Sequence, residues 1–480
     1  MIIRTFLIAV VLMSFTELSG QARWSLEKCI QYAQQNNLTI KLSELNVRDA
    51  VLQNRSAKQA MLPNLNASVG AGLQFGRRID PVSNDFITDN VGFNSGSLSS
   101  GITIYNGSKL RNSVKRSGLD MEAAKEDLAQ TGQDIALMVA VSYLTILQVE
   151  DQLENAKKRL ELSLVQLEQT DKLIEAGSLP AADLQNIEAQ VAQDEQIVVA
   201  RENDLVIAYL DLQQMLELDP DKQFLIERPD IDIPEDQEAL EVQLTSVYNQ
   251  ALNNQPGIKA SELRVRSAQL GIKIAEADRL PVFSAFGDIS TNYSNKSFDF
   301  ENPDLSNSNL VLGPEIPVEI NSYPAQLATF NLSGVEYQTL PYFDQITDNF
   351  GQSLGLNLSI PIYNRGQINT NIQRAEIALQ NNEILEKQAK QQLKQDIQRA
   401  LADARAAHKN YLAASKAESA LATAYFNTER KYKLGASNTL EFTTSKNQLD
   451  LARVDTIIAK YDFIFKLKVV DFYQGKKIDL

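Results

Sequence analysis

Three residue types that carry much side-chain chemistry are nearly missing: the 480-residue chain has one cysteine, one histidine and one tryptophan. A lone Cys29 excludes an intramolecular disulfide framework and any multi-cysteine metal site, and it reads as a buried small hydrophobe. The only histidine, His408 in AAHKN, has no second histidine to share a zinc ion and is the only plausible base for a triad, so an ordinary wall or surface role is expected. Neither a Walker loop nor a Rossmann glycine fingerprint is present. The chain is therefore read as a non-enzyme without a cofactor or metal. Lys and Arg number 46 against 61 Asp and Glu, a formal charge of −15 without a basic block, which excludes nucleic acid as a partner. Beyond the first residues no apolar run is expected to cross a membrane as a helix. That excludes an inner-membrane transporter and leaves a membrane barrel open.

What is present begins with an export signal over 1–22: Arg4, then a mostly apolar stretch from Phe6 to Phe15, with Gly20 and Ala22 as the small residues before cleavage. The dominant element is 366–434, where no proline or glycine interrupts a run rich in Ala, Gln, Glu, Lys and Leu. At 1.5 Å per residue it predicts a helical rod of roughly 100 Å. Leu393, Ile397, Ala400, Ala404, Ala407, Tyr411 and Ala414 recur at steps of four and three along it, a coiled-coil stripe.

The chain reads as two copies of one plan. The first repeat, 23–218, has a helical segment over 25–60 capped by Ser25, a β-hairpin over 64–106 with a loop at 77–93, and a rod over 108–176 striped by Ile146, Val149, Leu153, Ala156 and Leu160. Gly118 and Gly132 weaken the first third of that rod. It turns at EAGSLP into a return helix over 180–218. An acidic, proline-containing linker occupies 219–239. The second repeat, 240–480, has a helix bent near Pro256, a hairpin over 282–363, the long rod, the turn LGASNT and a return helix over 438–473. YNG at 105–107 is echoed by YNRG at 363–366. Leu354, Leu356, Leu358, Ile360 and Ile362 make the last strand the clearest of the four. The mismatch between the copies is the loop 297–347, far longer than its counterpart and read as exposed and variable.

The fold class is thus mainly α with a small membrane β part. Four strands with one apolar face cannot close a membrane barrel, since single-chain bacterial barrels have about eight or more and an open edge is not tolerated in lipid. Closure requires several chains, or the sheet is not in a membrane. Three copies would supply twelve strands, though the residues do not separate three from two or four.

The duplicated plan, the two turn motifs and PIYNRG, from WSLEKCI at 24–30 to the helix ending near Tyr473, resemble the TolC-like outer membrane efflux family. The chain's opening and loop style are similar to Bacteroidetes members of it. The resemblance implies a homotrimer with a twelve-stranded β-barrel in the lipids of the outer membrane and a helical tunnel in the periplasm. It further implies docking with a periplasmic adaptor and an inner-membrane pump, of RND type first and ABC type second. By the same resemblance, Glu441 and Thr444 match the pore constriction, where only Glu441 keeps an acid. Asp183 and Tyr432 match the tip latch, and Ser437 stands where the family's latch has a basic residue. Leu173, Gly177, Leu179, Pro180, Leu434, Gly435 and Leu440 form the two turns that match the adaptor-docking tips. Small-molecule efflux through a passive duct is the leading function. Type I protein or peptide secretion and, from another class, a non-conducting structural coiled-coil protein are the alternatives.

Overall fold

A computed structural model describes residues 23–79, 86–88, 90–177, 180–219, 221, 224–229, 243–299, 301–312, 316–320, 323–327, 330–333 and 337–477. The expected signal segment 1–22 lies outside the described residues. The chain forms two compact units that each draw on both repeats: a helical unit of 1–54, 115–269 and 376–480, and a sheet unit of 55–114 and 270–375.

Helices α1 (Leu26–Asn36) and α2 (Leu38–Gln59) replace the single segment expected over 25–60. Ser25 caps α1 as expected, its hydroxyl accepting from Lys28 N. The break comes at Asn37, whose side chain accepts from Thr39 N at 2.9 Å and donates to Met215 O at 2.9 Å. An asparagine that can bond main chain locally competes with helix continuation. Two rods follow, α3 (Lys109–Glu175) and α8 (Gln367–Lys433), with return helices α4 (Ala181–Met215) and α9 (Thr439–Tyr473). Each rod has 67 residues and each return helix 35. Gly118 and Gly132 do not interrupt α3, because a helical glycine costs only about 1 kcal/mol against alanine and a long cooperative rod absorbs that. Between the repeats α5 (Leu244–Asn254) gives way at Gln255 to α6 (Pro256–Glu276), with Pro256 in the first turn where its missing N–H is not needed.

Both apolar stripes are core. Ile146, Val149, Leu153 and Ala156 are buried, as are Leu393, Ile397, Ala400, Ala404 and Ala407. One cluster joins Leu26 and Cys29 of α1, Tyr143 and Leu147 of α3, Leu212 of α4 and Tyr461 of α9. Contrary to the sequence reading, part of α3 is long and apolar enough to cross a membrane. Its helix supplies Val139, Ala140, Tyr143, Leu144, Ile146 and Leu147 to this core, which accounts for an apolar stretch without a bilayer. From the linker, Ile226 forms a parallel bridge with Trp24 and Phe224 is buried against the same cluster.

In the sheet unit, β1 (Asn64–Gln74), β4 (Val91–Tyr105), β5 (Val282–Ser294) and β10 (Gly351–Ser359) form one antiparallel sheet in the order β1-β4-β5-β10. The β4–β5 pairing stitches the two repeats together, and β1 and β10 lie at its edges. Register places Val69, Leu98, Ile289 and Leu354 on one face and Ser68, Ser97, Ser290 and Ser353 on the other. The first face is exposed apolar surface, with Val69 at 88% and Leu354 at 92%. On the second, Ser68 and Ser97 hydroxyls hydrogen bond at 2.8 Å. The fourth strand starts and stops three residues earlier than expected, since Pro361 has no N–H with which to continue the ladder. Gly355 opposes Phe286 and Gly72 opposes Phe93, each ring occupying the space a glycine Cβ would need.

The echo of YNG in YNRG is geometric. Gly107 and Ser108, then Arg365 and Gly366, are consecutive residues with φ between +58° and +75°. Asn106 and Asn364 carbonyls accept from Lys109 N and Gln367 N, each at 3.1 Å, to start the rods.

Two expected loops hold regular structure. Residues 77–93 contain the short pair β2 (Arg77–Ile79) and β3 (Phe86–Thr88). Residues 297–347 contain β6 (Asn309–Leu312) paired with β9 (Phe330–Ser333), β7 (Ile316–Ile320) paired with β8 (Tyr323–Leu327), and a short helix α7 (Tyr342–Asp348). Strands of three to five residues are too short to establish an alternation, and Pro317 and Pro324 further disguise the β7–β8 pair.

Candidate functional site: the helical turns and a buried charge junction

Each rod ends on a glycine in the left-handed region, Gly177 at φ +71° and Gly435 at φ +72°. Gly177 N donates to Ile174 O at 2.9 Å, while Gly435 N and Ala436 N donate to Tyr432 O and Lys431 O at 2.9 and 2.8 Å. These bonds satisfy carbonyls that a helix end would leave free. Pro180 is the N-cap of α4, and Asn438 caps α9 by accepting from Glu441 N at 2.8 Å. Leu434 and Leu440 stand well exposed and Leu173 is partly so; Leu179 lies outside the described residues.

The structure brings several sequence-selected residues around one cleft of about 830 Å³, lined by Pro180, Asp183, Gly435, Ser437, Leu440 and Glu441 among others. Ser437 Oγ donates to Glu441 Oε2 at 2.7 Å, so the hydroxyl orients the acid four residues on. Thr444, one turn beyond Glu441, is also exposed. Tyr432 points elsewhere. It is buried, stacks on Phe442 at 4.8 Å between centroids, and has its hydroxyl 3.5 Å from Thr439 Oγ1. Tyr432 thus pins its own turn.

Residues missed by the sequence reading form a buried junction of three helices. Arg159 of α3 donates from Nε to Asp194 Oδ1 of α4 at 2.7 Å and lies 3.4 Å from Asp450 Oδ2 of α9. Lys446 of α9 donates to Arg159 O at 3.3 Å and to Ser163 Oγ, and sits 3.6 Å from Asp194 Oδ2. Ser163 also donates to Asp194, and Gln190 Nε2 donates to it at 2.9 Å. Asp194, Lys446 and Asp450 are almost wholly buried. Burial pushes the Asp450 carboxyl above the usual range against the pull of Arg159, Lys446 and Arg453. It likewise pushes Lys446 down although Asp194 and Asp450 favour its charge. Asp450 Oδ2 has its ion-pair contact but no hydrogen bond. The signal was in the sequence: Asp194 interrupts the stripe Ile187, Val191, Val198, and Lys446 and Asp450 fall among Phe442 and Leu449. A charge at a core position of a coiled coil specifies pairing.

His408 is buried, with its ring 4.9 Å from Phe463 and Nε2 unpartnered, so the surface role does not apply. Among the described residues no group of three or more His, Cys, Asp or Glu could hold a metal ion.

The sequence profile of the outer membrane efflux proteins matches residues 29–217 and 247–464, most of both repeats. The chain belongs to the outer membrane efflux protein family. Among relatives of this family, the outer membrane protein TolC of Vibrio cholerae is 24% identical over 437 residues, covering 89% of this chain and 85% of that protein. The outer membrane efflux protein BepC of Brucella suis is 21% identical over 458 residues, covering 95% and 87%. The crystal structure of CusC superposes with a TM-score of 0.73 over 97% of this chain and 96% of that one, at 17% identity, which shows a shared fold. As an outer membrane efflux protein, the chain pairs long helices with a four-stranded sheet of the kind described above.

Proposed function

We propose that this protein is a passive exit duct in which three copies close a twelve-stranded barrel in the outer membrane and continue as a helical tunnel through the periplasm. The observation that carries the reading is the sheet itself: four strands, one exposed apolar face, one polar face, and an edge strand at each side. In hydrocarbon each unpaired edge group costs several kcal/mol, so a sheet of this kind is stable in lipid only when β1 of one copy pairs with β10 of the next. The polar face then lines water and the apolar face meets acyl chains.

In this reading the inner end of the tunnel is formed by the turns, with Leu173, Gly177, Leu179, Pro180, Leu434, Gly435 and Leu440 presented to a periplasmic adaptor. Energy comes from an inner-membrane pump, of RND type first and ABC type second. Glu441, held by Ser437, forms one acidic layer of the constriction with Thr444 beside it, and three like charges there favour cations. Ser437 cannot supply the basic half of an ionic latch to Asp183, so the entrance of this duct is held by packing such as Tyr432 on Phe442 and by the Arg159–Asp194 junction. Small molecules are the proposed cargo, with peptide or protein secretion sharing the same duct.

The test is reconstitution of purified mature protein in a planar bilayer with its mass measured in detergent. Discrete conductance from a trimer is expected. A folded monomer that never conducts would overturn the reading in favour of a structural coiled-coil protein.

A further inference from the structure

The long excursion between β5 and β10 returns to the sheet by a route that selects one face. Its base is closed by a bridge between Phe298 and Thr339, with Leu340 N donating to Ser297 O at 2.9 Å. The chain then turns into α7, which is fastened to β5 by side chains. Gln345, fully buried, accepts from Ser294 N at 3.0 Å and donates to Leu340 O at 2.8 Å. Thr291 Oγ1 donates to Ile346 O at 2.7 Å, and Asn349 Nδ2 to Asn292 O at 2.9 Å. Tyr342 packs on Tyr293 at 4.9 Å between centroids and its hydroxyl accepts from Asn94 Nδ2 at 3.2 Å.

Thr291, Tyr293 and its cross-strand partner Asn94 all lie on the face that carries Ile289 and Leu98. The helix therefore sits on the apolar side of the sheet, at the end away from Val282, where the chain enters β5 from α6. Along that face Leu354 and Ile289 are followed, one step farther out, by Gln352 and Thr291, and Leu98 is followed by Gly96 and then Asn94, while the edge strand β1 stays apolar at Leu73. Such a change from acyl-compatible to hydrogen-bonding side chains marks the level at which a barrel wall passes into the headgroups. Aromatic residues concentrate there: Phe343 is 78% exposed, and Tyr342 and Phe350 are also exposed. Asp344 and Asp348 occupy a different flank of the same short helix. Amphipathic rings prefer the interface because one end is apolar and the other polar.

We infer that α7 lies outside the barrel as an interfacial anchor, with Phe343 set into the acyl–headgroup boundary of the outer leaflet. This rests on the reading of the sheet as a barrel wall. The occupant is a lipid surface because α7 continues the same face that the barrel presents to lipid, and because that face needs no further polypeptide in a closed barrel. The excursion thus clamps the rim of the wall from outside and leaves the polar face of β5 clear.

Spin labelling tests it in the full chain. Cys29 is completely buried and burial pushes its thiol up to about 12, so it stays protonated and shielded while an introduced cysteine is labelled at neutral pH. Phe343→Cys is compared in vesicles with Val69→Cys on the apolar face and Ser353→Cys on the polar face, by collision with oxygen and with a water-soluble nickel chelate. Expected is an oxygen-to-nickel ratio at 343 several-fold above that at 353, and at or below that at 69. If 69 favours oxygen while 343 matches 353, α7 stands in water: the anchor is wrong and the barrel reading survives. If 69 itself favours nickel, the sheet is not a membrane wall and the inference falls with it.

Discussion

Arg159 and Asp194 meet at 2.7 Å inside a coiled coil, joining the first rod to its return helix at a point where Lys446 and Asp450 of the second return helix also converge. Removing one member leaves the others charged and dry. Asp194→Ala is expected to lower helical stability by about 3–5 kcal/mol, the usual consequence of breaking a buried pair from one side. Lys446→Met keeps the side-chain volume and leaves the Arg159–Asp194 pair in place, and is expected to lose less. Thermal unfolding followed by circular dichroism orders the two variants, and equal losses would reject the junction as the controlling feature.

Asp450 gives the junction a pH dependence of known sign. Its folded-state pKa lies above 3.8, so its contribution to stability is full below 3.8 and is lost as pH rises through the folded value. Asp450→Asn should therefore be more stable than the parent at neutral pH, with the advantage shrinking as pH falls towards 3.8. Parallel melting series at several pH values check this; an advantage independent of pH would contradict it.

Gly435 holds φ +72° with nothing within 4 Å of an added Cβ, so backbone conformation alone opposes substitution. Gly435→Ala should destabilise the turn by about 1–2 kcal/mol and Gly435→Asn by less, because asparagine tolerates the left-handed region. Hydrogen exchange of the turn amides would register the difference. Identical protection in both variants would argue against it.

Phe286 covers Gly355 so closely that an added Cβ would clash with the ring. Gly355→Ala should displace the ring and weaken the β5–β10 pairing, seen as a lower temperature at which the assembled species is lost on gels of unheated protein. Gly96→Ala, where nothing lies within 4 Å, serves as the control and should behave as the parent.

Glu441→Gln is expected to lower the cation selectivity of the reconstituted channel, and Ser437→Ala, which frees the carboxylate without removing it, to shift selectivity less. Unchanged selectivity in Glu441→Gln would reject the acidic layer.

Periodicity made the rods, return helices and four main strands legible, because long stripes such as Leu393 to Tyr411 are set by burial against one side and alternation such as Leu65 to Leu73 by the two unlike faces of a strand. It could not give the break at Asn37, which depends on a bond to Met215 far along the chain. The junction escaped for a related reason: Asp194, Lys446 and Asp450 fall in apolar stripes, but only the meeting of three separate helices decides which charges face one another. At the turns, the family resemblance singled out Asp183, Ser437 and Glu441, which line one cleft, whereas the surroundings of Tyr432 are set by Thr439 and the ring of Phe442 in its own turn.

The sheet order that leaves β1 and β10 at the margins also bears on biogenesis. A newly exported chain carries two sticky borders and a greasy flank through an aqueous compartment, whereas its helices can bury their stripes on their own. On the proposed barrel reading, strand closure would wait for lipid and for sister copies, whereas the helices bury their stripes within one chain. Until then the strands are the part of the polypeptide most in need of an escort, and damage to quality control in the envelope should reveal itself there first.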